Sequence, residues 1–168
     1  MSKVALVLQG PWHCQWMRQL HTYKDAFDEI IISTYWSEEL RAVLSTGILD
    51  GIRLVINDDW LPTGYTNTYN VFYQAKSTLR GCLAAGTEFV VKHRLDESFS
   101  NIEIFRNEVL SNPHTIVTTN LFFRSIRHIP FHMSDHLFGC ARSVLCGAME
   151  DTLAMCTMPV ESLQEIWP

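Results

Sequence analysis

The sequence predicts an α/β fold: a mostly parallel sheet with helices on both faces. Two observations carry this. Apolar, β-branched runs recur as "VALVLQG", "EIIISTYW", "IRLVINDD", "EFVVKHR" and "TIVTTNLFF". The first is continuously apolar rather than alternating, as a strand covered on both faces reads, and the others repeat the style with β-branched residues and polar ends. Stretches of helical length lie between them, and strand–helix alternation is the pattern of parallel βαβ units.

The elements follow in order. Val4 to Gly10 forms the first strand, and Trp12 to Phe27 the first helical stretch. Glu29 to Trp36 is the second strand. Ser37 then caps a helix reaching Leu49, since a serine oxygen can accept from an otherwise orphaned amide. Ile52 to Asp59 is the third strand. Asp58 to Asn67, with Pro62, Gly64 and two aromatics, reads as a loop flanking a ligand. Thr68 to Ala85 is a helix with Gly86 as its terminator. Glu88 to Arg94 is the fourth strand. Ser100 to Leu110 is a helix, capped by Ser98 or Ser100 and stopped at Asn112-Pro113. Thr115 to Phe123 is the fifth strand. A last helix is expected over Asp135 to Cys156, capped by Ser134.

The chain of 168 residues suffices for one domain, 1–168, with its own core. Its 47% hydrophobic and 18% charged residues fit a globular protein. A net charge of −5 argues against nucleic acid as a partner, which wants a basic face. No apolar run reaches the roughly 18 residues of a membrane span. The opening "MSKVALVLQG" has an apolar run of only VALVL, shorter than the roughly 7 residues of a signal-peptide core, and is read as a strand. Five cysteines in apolar contexts suit reduced thiols, hence a cytoplasmic setting.

Open parallel sheets bind ligands beyond the carboxyl ends of their strands. The residues there are Gln9, Gly10 and Pro11; Ser33 and Thr34; Asn57, Asp58 and Asp59; Lys92, Arg94 and Asp96; Thr119 and Asn120. All are polar, small or charged. "QGP" lacks the spacing of a dinucleotide fingerprint or a P-loop, so a plain turn and a nucleotide contact both remain open. Asn70, Gln74 and Ser77 recur at i, i+4 and i+7, an uncharged polar stripe suited to a sugar or a base. In "FVVKHRLDES", Lys92 and Arg94 can meet phosphate and Asp96 can hold Mg²⁺ or Mn²⁺; ordinary ion pairing is the alternative. In "PFHMSDHLFGC", Asp135 falls in the first turn of the expected helix, where the dipole favours its anion. It is either a capping group or a general base. His132, His136 and Cys140 have helical spacing but lack a fourth ligand for zinc. No GxSxG elbow supports a serine hydrolase, and neither Cys14 nor Cys140 lies in a recognised nucleophile context.

"VALVLQGP", "IIISTYW", "LVINDD", "EFVVKHRLDE", "TTNLFFR" and "PFHMSDHLFGC", in this order, resemble the WavE-type family of lipopolysaccharide-synthesis glycosyltransferases. They also resemble GT-A-like glycosyltransferases of large DNA viruses that infect algae. The resemblance runs from Val4 to Cys140. It implies a GT-A-like, Rossmann-type sheet and sugar transfer from a nucleoside diphosphate sugar, with a UDP-sugar favoured, to a carbohydrate acceptor. It places Gln9, Gly10, Pro11 and Thr34 near the donor nucleotide and Asp96 at a divalent cation, Mn²⁺ or Mg²⁺, while the chemistry of the residues themselves adds Asn70, Gln74, Lys92 and Arg94 to the expected donor site. Asp135 becomes the base of an inverting reaction, with His132 and His136 at the acceptor. The family's metal motif is usually Asp-x-Asp; here Arg94-Leu95-Asp96 stands in its place, so only Asp96 matches and Arg94 can take up part of the phosphate charge. Family members tend to continue past the point where this chain ends, which points to the N-terminal domain of a larger protein or a compact viral version. The competing expectations are a non-catalytic sugar-nucleotide or glycan-binding module, and a hydrolase or phosphotransferase on the same sheet.

Overall fold

The computed structural model of the chain describes residues 2–57, 71–119 and 136–157. Along it run β1 (Val4–Gln9), a 3-10 turn (Gln15–Gln19), α1 (Leu20–Ala26), β2 (Glu29–Thr34), α2 (Glu38–Leu44) and β3 (Arg53–Ile56). Then come α3 (Val71–Ala84), β4 (Phe89–Arg94), α4 (Ile102–Ser111), β5 (Val117–Thr118), β6 (Leu137–Ala141) and α5 (Arg142–Cys156). Among the described residues one sheet of six strands has the order β3-β2-β1-β4-β6-β5. The pairs β1–β2, β1–β4 and β2–β3 are parallel, while β6 runs against both neighbours. This is the predicted α/β fold with a mostly parallel sheet.

All six residues of β1 are buried, because the strand is covered twice. Val4, Leu6 and Leu8 join Trp16, Tyr23, Leu40, Ile102 and Val109 in one apolar layer. Ala5 and Val7, on the opposite face, join Cys82, Val90, Cys140 and Leu145 under α3 and α5. Continuous apolar character is what such double burial demands, since successive side chains point to opposite faces. The helix α3 lies close on the sheet at Gly81, where an added Cβ would stand 2.4 Å from Val7 Cγ1 and 3.1 Å from Ser33 Cβ. Gly81→Ala should therefore lower the urea midpoint: overpacking of ~1–3 kcal/mol outweighs the helix-propensity gain of ~1 kcal/mol. The same change at Gly147 in α5, where a Cβ meets nothing within 4 Å, should raise it.

The expected caps form at one helix end and not at others. Ser37 Oγ does accept from the Leu40 amide at 3.1 Å, as expected of a cap. By contrast α4 starts from Asn101 with no side-chain cap, so neither Ser98 nor Ser100 fills that role. Gly86 is not a left-handed terminator; α3 ends at Ala84, and the Gly86 amide donates to the Glu29 carboxylate at 2.8 Å. Trp12 to Phe27 resolves into the 3-10 turn followed by α1.

The largest correction concerns 135–156. Leu137–Ala141 is a strand, and the helix begins only at Arg142. The run LFGCA is too short for periodicity to tell strand from helix. Pairing with β4 decides it, helped by Gly139, whose missing side chain leaves room for Val109, Val91 and the Val90 carbonyl. The first turn of the last helix is thus that of Arg142, and Asp135 lies outside the described residues. His136 and Cys140, four residues apart across an extended segment, stand roughly 13 Å apart along it, which removes the zinc spacing. Cys140 is buried, and burial pushes its thiol up to about 11.

Candidate functional site

The chain winds outward from β1 through β2 to β3, then returns to place β4 on the other side of β1. That reversal is the topological switch point, where an open sheet leaves a crevice at its carboxyl edge. Across this edge Ser33, Gln9 and Arg94 stand side by side in register. Beyond them the backbones are stitched together. The Gly10 amide donates to the Ser33 carbonyl at 3.2 Å, and the Leu95 amide to the Gln9 carbonyl at 3.0 Å. Gly10 has φ of 125°, a conformation side chains rarely adopt, which frees the chain to turn away without covering the edge.

Two adjoining cavities open there. One, of about 140 Å³, is lined by Gln9, Gly10, Pro11, Trp12, His13, Gln74, Arg94, Leu95 and Asp96. The other, of about 490 Å³, shares Gln9, Pro11, Gln74, Arg94 and Asp96 and adds Tyr35 and Tyr73. Six predicted residues thus converge on one cleft: Gln9, Gly10, Pro11, Gln74, Arg94 and Asp96.

Their chemistry is specific. Gln9 is buried and donates through Nε2 to Ser77 Oγ at 2.9 Å; Ser77 in turn donates to the Tyr73 carbonyl at 2.7 Å. The predicted polar stripe on α3 therefore divides its labour: Gln74 lines the cleft while Ser77 anchors the first strand's last side chain. Arg94 grips Asp96 in a two-pronged pair, Nε to Oδ1 at 2.8 Å and Nη2 to Oδ2 at 2.5 Å. That hydrogen bonding holds the Asp96 carboxyl below the ordinary carboxylate range.

Other expectations fare differently. Lys92 points to the same sheet face as Arg94 but one step back from the edge. It is buried, lies 5.2 Å over the Phe138 ring, and lines a separate cavity of about 110 Å³ with Thr78 and Thr152. It is absent from the cleft's described lining because the strand end carries only Arg94 to the opening. Thr34 is likewise buried beneath the surface, and its neighbour Tyr35 reaches the cleft instead. The Thr34 carbonyl accepts from the Asn57 backbone amide at 2.8 Å and side-chain amide at 3.0 Å, tying the ends of β2 and β3 together. His136 lies just before β6 and its Nδ1 contacts Glu97 Oε1. Asn70, His132 and Asp135, and the loop Asp58 to Asn67, lie outside the described residues.

Five cleft residues are not among those the sequence singles out: Trp12, His13, Tyr35, Tyr73 and Leu95. Aromatics beside apolar runs look like core. For Tyr35 a signal existed, since it directly follows the last residue of β2. Its hydroxyl donates to the Tyr73 carbonyl at 3.1 Å, and the two rings meet edge to face.

The residues do not, as described, compose a cation site. Asp96 is the one carboxylate lining the cleft among the described residues, and both its oxygens are engaged by Arg94. Among the described residues no three His, Cys, Asp or Glu side chains gather as metal ligands.

Fold and cleft together define a Rossmann-like α/β protein with a mostly parallel sheet and a crevice at its carboxyl edge. No family model matches the chain, and no curated protein matches it. Three of the solved structures with a similar fold illustrate the likeness. One is 4-diphosphocytidyl-2C-methyl-D-erythritol synthase from Anaerococcus prevotii, at TM-score 0.56 and 11% identity, covering 91% of this chain and 77% of that one. Another is glucosyl-3-phosphoglycerate synthase from Mycobacterium tuberculosis, solved with Mn²⁺, UDP and glucosyl-3-phosphoglycerate. Its TM-score is 0.49 at 16% identity, with 92% of this chain and 66% of that one covered. The third is HddC from Yersinia pseudotuberculosis, at TM-score 0.48 and 8% identity, covering 86% and 79%. At such identities the likeness is one of fold. No helix among the described residues is long and apolar enough to cross a membrane.

Proposed function

We propose that the protein is a glycosyltransferase that holds a nucleoside diphosphate sugar, a UDP-sugar by preference, in the cleft at the β1–β4 switch point. The observation that carries this is the meeting of Gln9 to Pro11, Gln74 and Arg94 in one crevice. Tyr35 and Tyr73 offer aromatic surface for a base, Gln74 an amide for base or ribose, and Arg94 a planar cation for the diphosphate.

In the reaction, the acceptor hydroxyl oxygen bonds to the anomeric carbon as the bond from that carbon to the diphosphate oxygen breaks. The departing electron pair stays with the nucleoside diphosphate, whose growing charge Arg94 stabilises. Asp135 takes the hydroxyl proton in a single inverting displacement. It is next in sequence to His136, whose neighbour Leu137 pairs with His93 near the carboxyl end of β4. His132 and His136 serve the acceptor, and Asn70 the donor. The domain 1–168 carries out donor binding and transfer.

A thermal-shift screen of nucleoside diphosphate sugars tests donor binding, because a true ligand raises the melting temperature by mass action. Repeating it with Mn²⁺, Mg²⁺ and EDTA tests the cation: unchanged donor affinity under chelation removes the metal from the account. Asp135→Asn should keep donor affinity and lose transfer; a fully active variant discards it as base. One observation favours a second reading, a binding module without turnover: the cleft's described carboxylate is already spent on Arg94. Donor binding with neither transfer nor slow donor hydrolysis would establish that reading.

A further inference from the structure

The cation of the cleft is held by the cleft's own anion. Arg94 offers Asp96 two parallel N–H groups, the fork geometry a guanidinium also offers to a phosphate. The two side chains are 29% and 46% exposed and both line the opening. The backbone between them is fixed: Leu95 is buried, and its amide donates to the Gln9 carbonyl at 3.0 Å. The Asp96 carboxylate therefore occupies the Nε–Nη2 edge of the guanidinium, an edge through which a diphosphate in the cleft could engage Arg94.

We propose that Asp96 is a specificity-determining residue which stands in for a ligand phosphate at Arg94, so that a diphosphate binds by displacing this internal carboxylate. The proposal rests on the reading of the cleft as a diphosphate site and adds what selects the anion. A partly exposed ion pair contributes little, so a group of higher charge with more acceptor oxygens can replace it. A simple carboxylate cannot, because it offers Arg94 nothing that Asp96 does not already supply. The internal acid also repels whatever anion approaches. It thus lowers affinity for all bare anions and leaves phosphates as those able to compete.

The sign of one substitution distinguishes this from a direct role of Asp96 in holding the ligand. Calorimetric titrations in EDTA would use inorganic pyrophosphate and UDP as probes on the full chain, with Asp96→Asn and Asp96→Ser. Both variants should bind each probe tighter than the unaltered protein, by about fivefold or more, from the lost competition and repulsion. Circular dichroism and melting temperature establish that the variants are folded, and two variants guard against a peculiarity of either. Equal or weaker binding in both folded variants overturns the inference; if the unaltered protein still binds UDP, the diphosphate reading survives it. If neither the unaltered protein nor any variant binds pyrophosphate or UDP, both fall together.

Discussion

Arg94→Ala is expected to weaken nucleoside diphosphate binding by about a hundredfold while leaving the fold intact. Arg94 supplies two aligned donors at the end of β4, and hydrogen bonds to charged groups contribute ~1.5–3 kcal/mol each. The loss is amplified because the variant leaves Asp96 as an unpaired carboxylate facing the phosphates. The double variant Arg94→Ala with Asp96→Asn should therefore recover part of the affinity lost in the single one. Titration of all four proteins forms a double-mutant cycle whose coupling term reports the pair directly. Additive effects would mean that the two side chains do not share the ligand's site. Undiminished binding in Arg94→Ala would remove the guanidinium from the site. The fold should tolerate the change, since a partly exposed ion pair at a strand end contributes at most ~1 kcal/mol.

The second large effect lies beneath the cleft and concerns pH. His93 is fully buried on β4, one residue from Arg94; its Nε2 lies 3.1 Å from the Tyr23 hydroxyl, and its ring packs edge to face on Phe99. The Tyr23 oxygen accepts from the Phe99 amide at 2.9 Å, which leaves its own hydrogen to donate to the imidazole. Burial lowers the His93 pKa from 6.5 to about 4, with the Arg94 backbone partly opposing. Between those values the unfolded chain binds a proton that the native imidazole does not. Stability is therefore complete above about pH 6.5 and falls as pH drops towards 4, by about 3 kcal/mol in all. Urea midpoints at pH 7.5, 5.5 and 4.5 should decline accordingly. In His93→Gln the decline over this window should flatten, whatever the variant's starting stability; an equal slope in both proteins would assign the acid sensitivity elsewhere. The carboxyl of Asp96 acts at lower pH, being held below the usual carboxylate range, so the two contributions separate.

His93 also illustrates why part of the site was hidden. In "KHRLDE" all the polar residues look alike, yet Lys92 and His93 are buried at 2% and 0% exposure while Arg94 and Asp96 open to the cleft. Strand alternation predicts that Lys92 and Arg94 share a face, and they do. It does not say where the strand ends relative to the helices that cover it, and that limit separates a core lysine from a ligand-facing arginine. Tyr35 and Tyr73 were missed for the converse reason: an aromatic after an apolar run reads as core unless the neighbouring elements are known to leave it a cavity.

The sequence by itself determined the order of the first four strands and their helices, the double burial of β1 and the cluster of polar residues at the strand ends. These follow from local rules: apolar continuity, periodicity and turn chemistry act over a few residues. Only the tertiary structure decided that LFGCA is a reversed strand, that β4 lies beside β1 to open the crevice, and that Arg94 closes on Asp96. The first two are contacts between segments far apart in the chain, which no single window of residues encodes; the third is a choice between an ion pair and a ligand-facing cation that the window KHRLDE leaves open.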